Sequence, residues 1–383
     1  MDAMASAGRL TEDAAARLSK QYRSEIAHRY SYEFTRWMAR PVRLVLDRFF
    51  LSEVIVGGFD HILTMPKDTY VILSCVHKSH LDYIVLGHVL FSNMKSLPAT
   101  IAGKNLFHGL FEGMLPRFKG VCLDREKVNP KNLRSRENLL YLSTFYDYLM
   151  DEVMNRGDAI TIFPEAGRSY DGSIQPLALG VFGIAKRALK EGTHRVALLP
   201  VGMTYDRVTE DERFHRMREQ KAAGADAYRA YDKRGFIRHA IFQPKGAVYV
   251  DFGEPMYVKD VKNMDDLERE LRTRMGKLIR VTAMALVCRA LAGRKSMPMD
   301  DLFRHIRADL KYAKDNCLLI GRGVSHRSPG QVFKRALEHL CNRVRFRDAI
   351  CIRTKDGSMY IRVKRADIID YYANTVKHLF PAG

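Results

Sequence analysis

The sequence lacks long apolar runs and has fewer acidic than basic residues. Its longest apolar runs, such as Val281–Cys288, are far shorter than the ~20 residues that a helix needs to cross a bilayer. The opening residues, MDAMASAGRLTEDAAARL, contain no hydrophobic region of the signal-peptide type. From these absences we expect no transmembrane span and no secretory leader, so that any contact with a membrane involves one face of the protein.

Paired cysteines are also missing. The six cysteines are scattered and form no C-x-x-C pair, which favours reduced thiols in a cytosolic protein. Cys75, His77 and His80 lie close together, but no fourth ligand follows at a suitable spacing, and we therefore predict no metal site. The segment Gly180–Gly183 does not fit the G-x-G-x-x-G frame, so a dinucleotide cofactor is not expected either.

Positive charge is in excess. The 383 residues include 63 Lys and Arg against 44 Asp and Glu, which gives a formal net charge of +19. An excess of this size favours an anionic partner: a phosphate-bearing ligand, an acidic protein, a membrane surface or a nucleic acid. Composition alone does not choose among these four classes.

Apolar runs alternate with helical patterns from about residue 56 onwards. This alternation predicts an α/β fold, with a mixed or mostly parallel sheet flanked by helices. We divide the chain into an N-terminal helical segment (1–55), a central domain (56–293) and a small C-terminal α+β region (294–383). The highly charged stretch 206–240 shows little periodicity and is expected to be an exposed excursion. The predicted strands are Tyr70–Val76, Pro98–Ala102, Gly120–Asp124, Ala159–Phe163, Val196–Thr204 and Ala247–Phe252.

One stretch, Thr69–Leu90, contains the first candidate reactive group. It begins as a buried strand and continues as a helical pattern, which places His77 in the turn between them. The S-x-x-D sequence from Ser79 to Asp82 predicts a helix cap at Ser79. If the turn folds back, Asp82 accepts one imidazole N–H of His77 and leaves the other ring nitrogen free as a base. The alternative is an ordinary helix cap beside a solvated histidine.

Three further polar or apolar motifs lie at the ends of predicted strands. They are 120–125 (GVCLDR), 163–169 (FPEAGRS) and 196–201 (VALLPV). In open α/β sheets the ligand crevice lies beyond the carboxyl ends of the strands. We therefore expect His77, Arg125 and Arg168 to converge on one pocket, although each arginine taken singly is also explained as a surface ion-pair partner.

In order, type and spacing, the four segments resemble the four motifs of the glycerolipid acyltransferases, which include the glycerol-3-phosphate and lysophosphatidate acyltransferases. They match H-x-S-x-x-D from His77, G-I-F-I-D-R from Gly120, F-P-E-G-T-R-S from Phe163 and V-x-x-x-P-V from Val196. The resemblance covers residues 56–290. The tail segment Tyr371–Phe380 is similar to the end of the bacterial glycerol-3-phosphate and dihydroxyacetone-phosphate acyltransferases.

The resemblance implies a role for each matching residue. His77 would be the general base that takes the proton of a substrate hydroxyl, and Asp82 would orient it. Two departures, Cys122 for an aromatic residue and Ala166 for a glycine, alter the pocket lining and the backbone without removing a reacting group. The residues that would bind the substrate phosphate are Arg125, Glu165, Gly167, Arg168 and Ser169.

The family also implies the substrates. The acceptor would be glycerol 3-phosphate, and the acyl donor would be acyl-CoA or acyl carrier protein, with no further cofactor. The product belongs in a bilayer, so we expect a cytoplasmic enzyme that lies peripherally on the inner face of the cell membrane. The basic and aromatic segment Arg17–Arg43 is the candidate contact with anionic lipid.

Three alternatives remain open at this point. Lysophosphatidate is the other acceptor that the motifs allow, and a thioesterase would use water in place of the acceptor hydroxyl. The third alternative belongs to another class: helices, a hairpin at Asp356-Gly357 and many basic residues in the tail could form a winged-helix-like nucleic-acid module. Since such a module would not explain the four motifs, we expect no nucleic-acid partner.

Overall fold

The computed structural model describes residues 11–107, 113–129, 131–132, 135–178, 180–192, 195–222, 244–259, 263–341 and 348–381. The strands are β1 (Leu51–Gly57), β2 (Thr69–Cys75), β3 (Ala99–Gly103), β4 (Gly120–Leu123), β5 (Ile160–Ile162), β6 (Arg195–Tyr205), β7 (Gly246–Phe252), β8 (Met256–Val258), β9 (Ser296–Pro298), β10 (Ile350–Lys355) and β11 (Ser358–Val363). The helices are α1 (Glu12–Ile26), α2 (Tyr32–Val45), α3 (Asp60–Leu63), α4 (Asp82–Met94), α5 (Arg136–Glu152), α6 (Gly180–Glu191), α7 (Asp211–Ala222), α8 (Met264–Lys277), α9 (Ala283–Leu291), α10 (Met299–Asp315), α11 (Pro329–Cys341) and α12 (Ala366–Thr375).

The large sheet has the predicted mixed, mostly parallel character. In the described part of the chain it contains eight strands, in the order β1-β7-β6-β2-β5-β3-β4 with β8 beside β6. The five strands from β6 to β4 run parallel. Both β7 and β8 pair with β6 in the antiparallel direction, and β1 runs parallel to β7.

The centre of this sheet is buried on both faces. Ile72 of β2 and Leu198 of β6 are fully buried, and α6 packs on both strands while α8 packs on β6. Continuous apolar strands of this kind require helices on either side, because neither face tolerates water. Because β2, β4, β5 and β6 run parallel, their carboxyl ends lie at the same edge of the sheet.

Most predicted elements occur where the pattern placed them. All six predicted strands are present with ends shifted by at most one residue, whereas the edge strands β1 and β8 were not predicted. The stretch 264–292 contains two helices, α8 and α9, and between them Val281 forms a bridge with Ile320. The three-part domain division stays a prediction, and its boundary at residue 55 falls within β1, which pairs with β7.

The two N-terminal helices pack on the central domain as a helical pair. α1 contacts α5, with Tyr22 and Ile26 buried against it, and α2 contacts α4. Within the described ranges we find no helix with the length and apolar character needed to cross a membrane.

The C-terminal region contains a second, three-stranded sheet in the order β10-β11-β9. Together with α9, α10 and α11 it has the succession helix, strand, helix, helix, hairpin, which is the order of a winged-helix module. Arg335 of α11 pairs with the buried Asp206 at 2.9 Å, and Arg280 donates to Ile320 O at 3.3 Å. The module is therefore fixed to the large sheet by polar contacts as well as by packing.

The last helix also lies on a loop of the central domain, and glycine substitutions test that contact. A Cβ at Gly172 (φ +88°) would lie 2.0 Å from Tyr371 O of α12, whereas one at Gly157 (φ +79°) would meet nothing within 4 Å. Gly157→Ala should therefore lower the free energy of unfolding by about 1–2 kcal/mol, the cost of a left-handed residue. Gly172→Ala should lower the free energy of unfolding by about 1–3 kcal/mol more, because its Cβ would also overlap with Tyr371 O. Urea titration measures both, and equal losses would show that α12 does not rest on this loop.

Candidate active site

Four polar segments meet at the carboxyl edge of the parallel strands. His77 follows β2, Arg125 follows β4, the segment 163–169 follows β5, and Tyr205 ends β6. Since these strands run parallel in one sheet, their carboxyl ends lie at the same edge, as the sequence predicts. The contacts described next show which side chains face one another.

The His77 imidazole is bonded to the Asp82 carboxylate. Nδ1 of His77 lies 2.9 Å from Oδ2 of Asp82, which is fully buried at the first turn of α4. The same Oδ2 accepts the backbone N–H groups of Lys78 at 2.7 Å and Ser79 at 3.0 Å. The carboxylate therefore folds the turn back on itself, and this places the histidine beside it.

The predicted helix cap at Ser79 is wrong. Leu81 is the N-cap residue of α4, and the Ser79 hydroxyl accepts the N–H of Leu81 while it donates to Glu210 at 2.6 Å. The physical reason is that the Asp82 carboxylate already binds the free amides of the turn, so the serine is available for a contact across the site.

The His77 backbone and ring are held from the loop after β5. Its N–H donates to Glu165 Oε1 at 2.8 Å, and its carbonyl accepts from Ser169 N at 3.1 Å. The ring packs against Phe163, with centroids 4.5 Å apart and the ring planes tilted by 38°. The side chain is 14% exposed, and within the described residues Nε2 has no hydrogen-bond partner. Nδ1 is therefore bonded to Asp82, while Nε2 is left available for a substrate.

Glu165 lies behind the histidine. Its two carboxylate oxygens accept the N–H groups of His77 and Gln175, both at 2.8 Å. Burial raises the pKa of Glu165, and the neighbouring Lys78 opposes that shift. Lys78 is itself buried, donates to Gly172 O at 2.8 Å and has a pKa that burial lowers. These contacts connect the histidine turn to the loop 165–175.

Arg168 and Ser169 point into the protein. Arg168 is buried and its Nη1 lies 3.3 Å from Glu210 Oε1. The Ser169 hydroxyl donates to Asp171 at 3.0 Å. The structure thus brings both predicted substrate-binding residues to the site but engages each with a protein carboxylate.

Arg125 and Gly167 are more open. Arg125 is exposed, and Nη1 donates to Ala166 O at 3.0 Å, next to the loop that holds His77. A guanidinium has five N–H donors, so most remain for an anion. A Cβ at Gly167 would meet nothing within 4 Å. Ala166, the departure from the family pattern, has φ +54°, a conformation that favours glycine.

The sequence did not identify two residues at the centre of the site, Tyr205 and Glu210. The Tyr205 hydroxyl donates to Asp82 at 2.6 Å, and Glu210 contacts both Ser79 and Arg168. The stretch 206–240 was predicted to be an exposed excursion, which is wrong for its first part, because Asp206, Glu210 and Asp211 are buried. Residues 223–240 of that prediction lie outside the described ranges. The sequence signal that could have identified these residues is their position, because Tyr205 ends β6 and Glu210 follows it closely at the carboxyl edge of the sheet.

Comparison with known proteins agrees with this arrangement. Residues 59–204 match the family model Acyltransferase, a range that contains the His77–Asp82 pair, Arg125 and the loop 163–169. This part of the chain is an acyltransferase domain. The match ends one residue before Tyr205, so the acyltransferase domain and its neighbours in the fold together build the site.

Similar curated proteins extend the match beyond the acyltransferase domain. The chain is 24% identical over 407 residues to the glycerol-3-phosphate acyltransferase of Pasteurella multocida, covering 98% of this chain and 48% of that protein. It is 28% identical over 262 residues to the enzyme of that name from Shewanella putrefaciens, covering 67% of this chain and 30% of the relative. The chain therefore spans about half the length, or less, of the curated relatives it matches.

One solved structure is also similar. It is the 1-acyl-sn-glycerophosphate (LPA) acyltransferase of Thermotoga maritima, with a TM-score of 0.37 and 20% sequence identity. The alignment covers 71% of this chain and 83% of that one.

Proposed function

We propose that this protein transfers a fatty acyl group from acyl-CoA or acyl carrier protein to a hydroxyl of glycerol 3-phosphate, the first step of phospholipid synthesis. The observation that carries the proposal is the His77–Asp82 pair, which lies beside the loop 163–169 that Arg125 also contacts. The named relatives support the acceptor, because their similarity includes the tail of the chain as well as the acyltransferase domain.

The pair has the geometry of a general base. Asp82 accepts a hydrogen bond from Nδ1–H, which fixes the tautomer and leaves Nε2 unprotonated. Nε2 takes the proton of the acceptor hydroxyl as its oxygen attacks the thioester carbonyl. An ester C–O bond forms, the C–S bond breaks, and the departing thiolate takes the proton from the imidazolium. Asp82 stabilises that imidazolium without itself being protonated.

Arg125 is suited to the phosphate of the acceptor. It is the exposed guanidinium at this edge, and its hydrogen bond to Ala166 O keeps it over the loop that holds His77. A guanidinium fork matches phosphate oxygens, and the space beside Gly167 can receive them. The contacts of Glu165, Arg168 and Ser169 suit a supporting role in which they shape the loop under the phosphate.

The side chain that decides the mechanism is His77. Wild-type protein should convert labelled acyl-CoA or acyl carrier protein and glycerol 3-phosphate into a monoacylated product, and His77→Ala should reduce turnover by ~10²–10⁴-fold. The exposed His326 offers the matched control, since His326→Ala removes an imidazole remote from the motifs. Product formation is measured with an acceptor panel that includes lysophosphatidate and water. Preferred acylation of lysophosphatidate, release of free fatty acid only, or near-normal turnover by His77→Ala would contradict the proposal.

The acceptor phosphate gives a separate prediction for Arg125. Loss of a charge-assisted hydrogen bond is worth about 1.5–3 kcal/mol, so Arg125→Ala should raise the acceptor KM by ~10–100-fold. The KM for the acyl donor should change little. Arg195 starts β6 at the opposite edge of the sheet, and Arg195→Ala is the matched control. If glycerol and glycerol 3-phosphate are acylated equally well, Arg125 does not bind the phosphate.

We infer that α2 is the contact with an anionic membrane surface on the cytoplasmic side. Trp37 is 70% exposed, Leu44 68% and Val45 45%, and with Pro41 they are spaced along one side of the helix. Arginines 36, 40 and 48 are exposed among them. The opposite side of α2 packs on α4 through Tyr32 and Phe91, whose rings are 6.0 Å apart. The exposed apolar side of α2 therefore belongs to a helix that packs on α4, and α4 begins at Asp82.

Vesicle binding tests this surface. The protein should bind vesicles that contain anionic lipid, and binding should weaken with salt because exposed charges are screened beyond about 8–10 Å. Trp37→Ser with Leu44→Ser should weaken binding further, while Met359→Ser, an exposed apolar residue on β11, is the control. Point variants are preferable to deleting the N-terminal helices, because Tyr22 and Ile26 are buried. A preference for duplex DNA over vesicles at matched salt would favour the winged-helix nucleic-acid alternative.

A further inference from the structure

The end of β6 contacts the His77–Asp82 pair through Tyr205. This residue is buried, and its hydroxyl donates to Asp82 Oδ1 at 2.6 Å. Burial, and then the charge of Asp82, raise the pKa of Tyr205 well above its ordinary value, so the phenol stays protonated and remains a donor. With Oδ1 occupied by Tyr205, the second oxygen, Oδ2, is the one that accepts from His77.

Glu210 makes a second contact, five residues later. Its Oε2 accepts the Ser79 hydroxyl at 2.6 Å, and its Oε1 accepts His80 N–H at 2.8 Å and Arg168 Nη1 at 3.3 Å. The carboxylate is 1% exposed. One side chain therefore joins the turn after β2 to the loop after β5, which are the two segments that position His77.

The C-terminal helix α12 holds the segment 208–211, which contains Glu210. The Tyr372 hydroxyl accepts Val208 N–H at 2.9 Å and donates to Asp211 Oδ2 at 2.8 Å, on either side of Glu210. Asn374 of the same helix donates to Asp171 O at 3.0 Å. Tyr371 packs on Phe214 of α7, with ring centroids 5.2 Å apart. Thus α12 touches both the segment after β6 and the loop after β5.

We propose that Tyr205 and Glu210 are positioning residues for the His77–Asp82 pair and that α12 holds them in place. The tail of the chain is then part of the catalytic apparatus, although it lies beyond the acyltransferase domain. The kinetic consequence rests on the proposed acyl transfer, whereas the effect on the state of His77 follows from the contacts alone.

The effect of Tyr205 on His77 has a definite sign. The titratable groups around the imidazole are Asp82, Glu165 and His80. The phenol draws negative charge from Asp82, so its removal leaves more charge to stabilise the imidazolium. Tyr205→Phe should therefore move the acidic limb of the kcat/KM profile to higher pH. A residue that only filled space would not shift that limb.

Steady-state kinetics of the full chain test the positioning roles. Tyr205→Phe, Glu210→Gln and Tyr372→Phe should each lower kcat by ~10–100-fold, with little change in KM, because small displacements of a base cost that much. Asp251 is a buried carboxylate on β7 that pairs with Arg280 at the far side of β6, so Asp251→Asn is the matched control. It should lower the melting temperature without this loss of kcat. Equal kcat losses in the control and the test variants would overturn the proposal.

A measurement that does not depend on turnover separates this inference from the proposed function. ¹H–¹⁵N NMR of the protein labelled with ¹⁵N-histidine detects the His77 Nδ1–H that Asp82 accepts. Because Asp82 is a stronger acceptor without the phenol, this proton resonance should move downfield in Tyr205→Phe, and an unchanged resonance overturns the positioning role. If the wild type transfers no acyl group to any acceptor, the proposed function fails, and the NMR comparison still decides the inference.

Discussion

The site depends on one buried carboxylate, Asp82. An uncompensated charge in the interior costs several kcal/mol, so it persists only where donors surround it. Four donors do so here: the His77 imidazole, the amides of Lys78 and Ser79, and the Tyr205 hydroxyl. These donors come from the turn after β2 and from the end of β6. Satisfying one charge thus fixes the turn, the histidine tautomer and the alignment of two neighbouring strands together.

The charges around Asp82 are unevenly matched, and this favours the reaction. Among the side chains around the pair, Asp82, Glu165 and Glu210 are buried carboxylates, Lys78 and Arg168 are buried cations, and the carboxylate of Asp171 acts on Lys78. Carboxylates therefore outnumber cations in this cluster. In the proposed reaction, a proton on His77 reduces that excess. Because the surrounding groups are already oriented, they stabilise the imidazolium without reorganisation.

The sequence was informative where burial follows a simple pattern and misleading where charge is buried. The strands β2 and β6 are mostly apolar and lie at the centre of the sheet, so their positions could be predicted. β1 was missed because an edge strand lacks that uniform pattern. The stretch after β6 was misread because charged residues usually face water. Glu210 and Asp206 are buried against Arg168 and Arg335, and those contacts span distant parts of the chain.

The C-terminal region shows why fold does not settle function. Its order of helices and strands is that of a winged-helix module, in which the helix corresponding to α11 would have to remain exposed to enter a DNA groove. In this protein Arg335 of α11 is bonded to Asp206, immediately after Tyr205. The next helix, α12, binds the backbone of Val208 through Tyr372. Both helices therefore hold the same active-site segment from opposite ends, and the module serves as a brace for the acyltransferase domain.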